Sequence, residues 1–120
     1  MRTASAKAKG RRLQQKVAER VVKALPGVED EDVRSNPMGA DGEDIWLSKA
    51  ARTLFPFTIE CKNVEKLSIW RAISQGRANQ KQDWHIPAVV FSKNHEEPYI
   101  ALPFERFMEI YEQYIKNSTD

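Results

Sequence analysis

The stretch FTIECKN at residues 57–63 restricts the fold more than any other part of this 120-residue chain. Its apolar residues alternate as in a strand, yet two charges are set among them. Strand side chains point to opposite faces in turn, so Phe57, Ile59 and Cys61 share one face and Thr58, Glu60 and Lys62 the other. Burying charge is unfavourable unless something compensates it. Upstream, GEDIWLS places a third charge, Asp44, at the head of another strand-like run. A fold for this chain must bring a strand interior and a carboxylate-bearing strand start into one environment that tolerates both.

Length fits one domain with its own hydrophobic core. Apolar residues are 41% and charged residues 30%, the balance of a globular chain rather than a disordered one. No apolar run approaches the roughly 20 residues of a membrane span, and the basic N-terminus lacks the apolar segment of a secretory signal. The single cysteine, Cys61, cannot form an internal disulfide, which fits a reducing cytoplasm. One Cys and two distant histidines, His85 and His95, do not make a zinc site.

The net charge of +2 conceals a gradient. Residues 1–25 carry eight Lys and Arg against one acid, Glu19, for a net +7, leaving −5 for the remainder. A basic start on an acidic body suits a polyanionic partner.

The pattern predicts a flexible basic arm over residues 1–12 and a single domain over 13–120. A helix fits Leu13 to Leu25, with Leu13, Val17, Val21, Ala24 and Leu25 on one side. Its Gln14 also projects onto that side, where a polar amide needs a partner. LPG at 25–27 stops it. Short strands are expected at Val33–Asn36 and Glu43–Ser48. KAARTLFP is too short for a packed helix and reads as the long loop of an antiparallel hairpin to FTIECKN. A helix over about 65–79 follows, with Ile69, Trp70 and Ile73 on its apolar side and Ser68, Arg71, Gln75 and Asn79 opposite. PAVVFS and PYIALP form a second hairpin. A last helix starts near Phe104, with Phe104, Phe107, Met108, Tyr111, Tyr114 and Ile115 on one face. The order α-β-β-β-α-β-β-α predicts the α/β class, a mixed central sheet flanked by helices. Trp46 and Trp84 read as core or interface residues, His85 and His95 as surface or loop residues.

If the Asp44 strand pairs with FTIECKN, Asp44 comes to lie near Glu60. Two neighbouring carboxylates repel, and one is driven to protonate. A divalent cation relieves that conflict. Oxygen ligands suit Mg²⁺, for which Mn²⁺ can substitute, and the Cys61 carbonyl can add a third protein ligand. Such an ion promotes phosphodiester hydrolysis by activating water and neutralising charge on the phosphate. Lys62 is placed to orient the attacking water or to stabilise the transition state. An ordinary cross-strand ion pair between Glu60 and Lys62 is the competing reading.

Asp44, fifteen intervening residues and then Glu60-Cys61-Lys62 resemble the motif of the PD-(D/E)XK nucleases. Lys9-Gly10, Arg34-Ser35, Gly39 and Gly42 extend the likeness to Holliday junction resolvase-like and small phage-encoded nucleases, over roughly residues 9–95. The resemblance implies a restriction-endonuclease-like fold, a Mg²⁺-dependent endonuclease, branched DNA as substrate and a cytoplasmic site of action, the host's if phage-encoded. Symmetric cuts in a four-way junction imply a homodimer, for which the aromatic last helix is the best apolar surface. Lys7, Lys9, Arg11, Arg12, Arg34, Ser35 and Arg71 are the expected DNA contacts, and Gln75 matches a glutamine that holds water or the scissile strand in some members. Resolvases of this type carry a Glu in the first helix. Here Gln14, rather than Glu19, is expected near the centre as a water or carboxylate anchor, or else at the edge of the helix–sheet packing. The alternatives are a nicking or restriction-type nuclease on linear or single-stranded DNA, a non-catalytic DNA-binding module of the same fold, and a structural protein.

Overall fold

The computed structural model describes residues 4–37 and 42–119. Its first element, α1 (Ala4–Ala24), begins well before Leu13. Residues 4–12, expected as part of a flexible arm, are helical, because AKAKGRR consists largely of strong helix formers. Gly27, with φ +74°, follows Pro26 and ends the helix region in the left-handed conformation that glycine adopts without strain. The buried side of α1 comprises Gly10, Leu13, Gln14, Ala18 and Val21. Ala24 is exposed instead, so the face is rotated toward Gln14 relative to the projection.

A single 3-10 turn at Asp30–Asp32 leads into β1 (Val33–Ser35), which pairs antiparallel with β2 (Ile45–Leu47). The expected hairpin between the Asp44 strand and FTIECKN does not form as a ladder. KAARTL is a helix, α2 (Lys49–Leu54), because the Ser48 hydroxyl caps it by accepting from the Ala51 N–H at 3.2 Å. After α2 comes β3 (Phe57–Asn63). One backbone bond joins the two sheets here, from the Asp44 N–H to the Ile59 carbonyl at 3.0 Å.

The crossover helix α3 (Ile69–Ala78) carries β3 into β4 (Ile86–Ser92), which runs parallel to it, as such a connection permits. β5 (Tyr99–Ala101) returns antiparallel to β4, confirming the second hairpin, and α4 (Phe104–Thr119) ends the chain. The result is an α/β domain with a mixed sheet flanked by helices.

Strand alternation decides what each face of this sheet meets. Ile59, Cys61 and Ala88 join Leu13, Ala18 and Val21 of α1 in the core, together with Val33, Ile45, Leu47 and Ala51. The opposite face of β3 and β4 lies under α3, which packs through Ala72 and Gly76 rather than through Trp70. Trp70 is 77% exposed. A Cβ on Gly76 would stand 3.4 Å from the Cγ of Glu60, an ordinary packing distance, so this turn of α3 lies directly over Glu60. Trp46 and Trp84 are likewise outside the core, at 36% and 49% exposure. His85 departs from expectation in the other direction. It is buried, edge-on to Trp84 with ring centroids 4.3 Å apart. Among the described residues, no helix is long and apolar enough to cross a membrane.

Candidate functional site

The site begins with the turn before β2. Gly42 has φ +97°, a conformation that side chains resist, and it turns the chain into Glu43 and Asp44. Gly39, the other glycine of this approach, lies outside the described residues. Asn36 then clamps the strand start. Its N–H donates to the Asp44 carbonyl at 2.9 Å and its Nδ2 to the Glu43 carbonyl at 2.5 Å. From here the Asp44 carboxylate reaches β3, where Oδ2 accepts the Cys61 N–H at 2.7 Å.

Glu60 is 4% exposed and faces α3. Its Oε1 accepts a 2.6 Å hydrogen bond from Asn79 Nδ2, and its carboxyl shares a side-chain hydrogen bond with Asp44. Asp44 and Glu60 are therefore neighbours although β2 and β3 form no ladder. Burial, and next the negative charge of Asp44, raise the Glu60 carboxyl to about 7, against the opposing pull of Asn79 and Lys62. Lys62 follows on the same strand face, half-buried and near enough for its charge to favour ionised Glu60.

Cys61 contributes through its backbone. Its thiol is buried in the α1-side core, and burial, then Asp44 and Glu60, push its pKa up, so it is no nucleophile. In a strand, the N–H and C=O of one residue leave the backbone on the same side. Because the Cys61 N–H meets Asp44, its carbonyl is directed toward that edge as well.

The buried Glu60 carboxylate and the half-buried Asp44 carboxylate beside it, with a carbonyl at the same edge, are an oxygen donor set that suits Mg²⁺ and its retained waters. Among the described residues no group of three or more His, Cys, Asp or Glu side chains gathers.

The other expected residues are distributed around this centre. Gln14 is 3% exposed and its Oε1 accepts the Ser35 Oγ–H at 2.7 Å, on the α1 side of the sheet. Ser35 is thereby engaged in packing. Glu19 is exposed. The Arg34 guanidinium lies 4.4 Å over the Trp46 ring, its cross-strand partner. Gln75 and Arg71 are exposed on α3, and it is Asn79, one turn beyond Gln75, that holds Glu60. Asn79 falls on the polar face already visible in the sequence, at i+4 from Gln75, but the contact depends on how closely α3 settles over β3 at Gly76.

Two further features frame the site, and only the basic charge of the second was visible in the sequence. Glu43 and Arg52 form a buried ion pair, and Arg52 also donates to the Phe57 carbonyl at 2.5 Å, tying α2 to the starts of β2 and β3. Burial raises the Glu43 pKa in spite of Arg52. The second feature is a basic groove of about 260 Å³ between α1 and the β4–β5 connection, lined by Lys9, Arg12, Lys16, Lys93 and His95 together with the acid Glu96. Asn63 also borders it, one residue after Lys62. Lys7 and Arg11 are exposed elsewhere on α1.

Comparison of the chain with protein-family models, curated proteins and solved structures returns no match.

Proposed function

We propose that this chain is a Mg²⁺-dependent endodeoxyribonuclease with a restriction-endonuclease-like arrangement. The observation that carries the reading is the Asp44–Glu60 pair: a buried and a half-buried carboxylate in contact, with Lys62 beside Glu60 on the same strand. Held by Asp44, Glu60 and the Cys61 carbonyl, the ion would supply Lewis acidity toward water and a phosphate oxygen.

The chain's own groups have distinct tasks. Asp44 is fixed by the Cys61 N–H and Glu60 by Asn79, so neither carboxylate must reorganise when substrate arrives. The Lys62 ammonium holds the attacking water in line with the scissile bond and stabilises negative charge that grows on the phosphate. Lys9, Arg12, Lys16 and Lys93 mark a path for the backbone away from the reacting phosphate, giving binding that weakens with salt. Lys7, Arg11, Arg34 and Arg71 add exposed positive charge. A four-way junction is the proposed substrate, by resemblance to the resolvases.

Cleavage of a labelled four-way junction beside its linear duplex tests this, with Mg²⁺ or chelator and with Glu60→Gln. Cutting of the junction that stops with chelator and in Glu60→Gln, while binding persists, is the expected result. Equal cutting of the duplex would replace the substrate with ordinary DNA. Binding without cleavage under any divalent ion would reduce the chain to a DNA-binding module.

A further inference from the structure

The β1–β2 ladder has two unlike faces. Val33, Ile45 and Leu47 turn into the core and are buried. The opposite face carries Arg34 and Trp46, directly across the ladder from one another. Both are exposed, and the Arg34 guanidinium lies 4.4 Å from the centre of the Trp46 ring. Neither ion pair of the described residues, Glu43–Arg52 or Arg106–Glu109, involves Arg34. Its charge rests on the face of an indole instead.

The stack stands beside the carboxylates. Trp46 comes two residues after Asp44, with buried Ile45 between them. Two residues of strand span about 7 Å, within the reach of a single nucleotide. Asp44 meets the Cys61 N–H of β3 and the Glu60 carboxyl. Its own carbonyl is held by the Asn36 N–H at 2.9 Å, one step along the same ladder from the stack. One short ladder therefore sets both the carboxylate and the stacked pair.

An indole and a guanidinium are both flat and polarisable, and both stack on nucleobases. A base inside a duplex has its two faces covered by its neighbours and gains nothing from such a surface. A base that has lost a neighbour regains its stacking there. We propose that Arg34 and Trp46 form a stacking platform for an unstacked nucleobase next to the scissile phosphate. The inference rests on the nuclease reading for the position of that phosphate, and it narrows the substrate. The strand that is cut carries a base freed from its stack beside the cleavage position, as at a branch point or a flap. Because every base has a flat face, the platform selects for structure and not for sequence.

Titration of the unaltered chain in chelator tests it, so that neither metal nor cutting enters. The probes are a short single-stranded oligothymidylate and an abasic oligomer of the same length, which keeps the phosphates and lacks the bases. Trp46→Ala should weaken oligothymidylate binding at least about fivefold. It should leave the abasic oligomer bound as before, which also shows that the variant is folded. Trp46→Phe keeps a flat ring and should recover most of the loss. Equal losses on both probes would mean that the pair only steadies the hairpin, and would overturn the proposal. So would an oligothymidylate that Trp46→Ala binds as well as the unaltered chain does, or that the unaltered chain does not bind. Cleavage is scored separately: a chain that holds bases through Trp46 and never cuts DNA overturns the nuclease reading and leaves the stacking platform standing.

Discussion

The Asp44 carboxylate accepts a 2.7 Å hydrogen bond from the N–H of Cys61, the residue immediately after Glu60. The backbone of β3 thereby fixes one carboxylate in contact with the side chain of the other. Asp44→Asn keeps an oxygen for this N–H but removes the charge. It should melt within about 1 kcal/mol of wild type, bind Mg²⁺ at least tenfold more weakly by calorimetry, and cut DNA at least a hundredfold more slowly. Asp44→Ala also strands the buried N–H and should lose a further ~1–3 kcal/mol. Normal Mg²⁺ affinity in Asp44→Asn would remove Asp44 from the ligand set.

The raised Glu60 carboxyl makes stability without metal depend on pH. Its folded pKa, about 7, lies above the ordinary 4.5. Between those values the folded state holds a proton that the unfolded state has released, so stability is fully present below 4.5 and declines as pH rises toward 7. The loss is roughly 3 kcal/mol at 1.4 kcal/mol per pH unit. Buried Glu43 acts in the same direction, and His85, whose pKa is lowered, in the opposite one. Thermal melts in chelator from pH 4.5 to 7.5, subtracting a Glu60→Gln series, isolate the Glu60 contribution. A difference curve without slope would refute the strained carboxyl.

Asn79 and Gln75 separate a positioning contact from a solvated polar face. Asn79 donates to Glu60 at 2.6 Å, whereas Gln75 is exposed. Asn79→Asp sets a third negative charge against the pair. It should raise the Glu60 pKa further, and shift the pH profile of cleavage upward by about one unit or more. Gln75→Ala should leave that profile unmoved. The reverse ranking would reinstate Gln75 at the site.

Arg52 is a structural test. Its guanidinium and the Glu43 carboxylate are both largely buried, so Arg52→Ala leaves an unpaired charge. The expected loss is roughly 3–5 kcal/mol by denaturant unfolding. The double variant Arg52→Ala with Glu43→Gln should recover part of it, because the stranded charge is gone. No recovery would mean that Arg52 acts chiefly through the Phe57 carbonyl.

What the sequence disclosed was what alternation and end signals govern. The two faces of FTIECKN, the β4–β5 hairpin and the start of α4 at Phe104 all follow from local pattern. The neighbourhood of Asp44 and Glu60 was also legible, though through an incorrect route. The two meet by a side chain reaching a backbone N–H, not by strand pairing. Helix α2 was hidden by its brevity, although Ser48 three residues before Ala51 carried the capping signal. Trp70 misled because apolar periodicity reports which side of a helix could be buried, whereas α3 buries Ala72 and Gly76 and leaves Trp70 exposed. The Glu43–Arg52 pair joins two elements across nine positions, and no local rule links them.

The hydrogen-bond ladders carry one more implication. Asp44 arrives from the β1–β2 ladder and Glu60 from the β3–β4–β5 ladder, and among the described residues one backbone bond spans the boundary. Neither ladder by itself brings the two carboxylates together. If the chain is the nuclease proposed above, a newly made or partly melted copy would be harmless to nucleic acid and would become competent only once its two halves have docked.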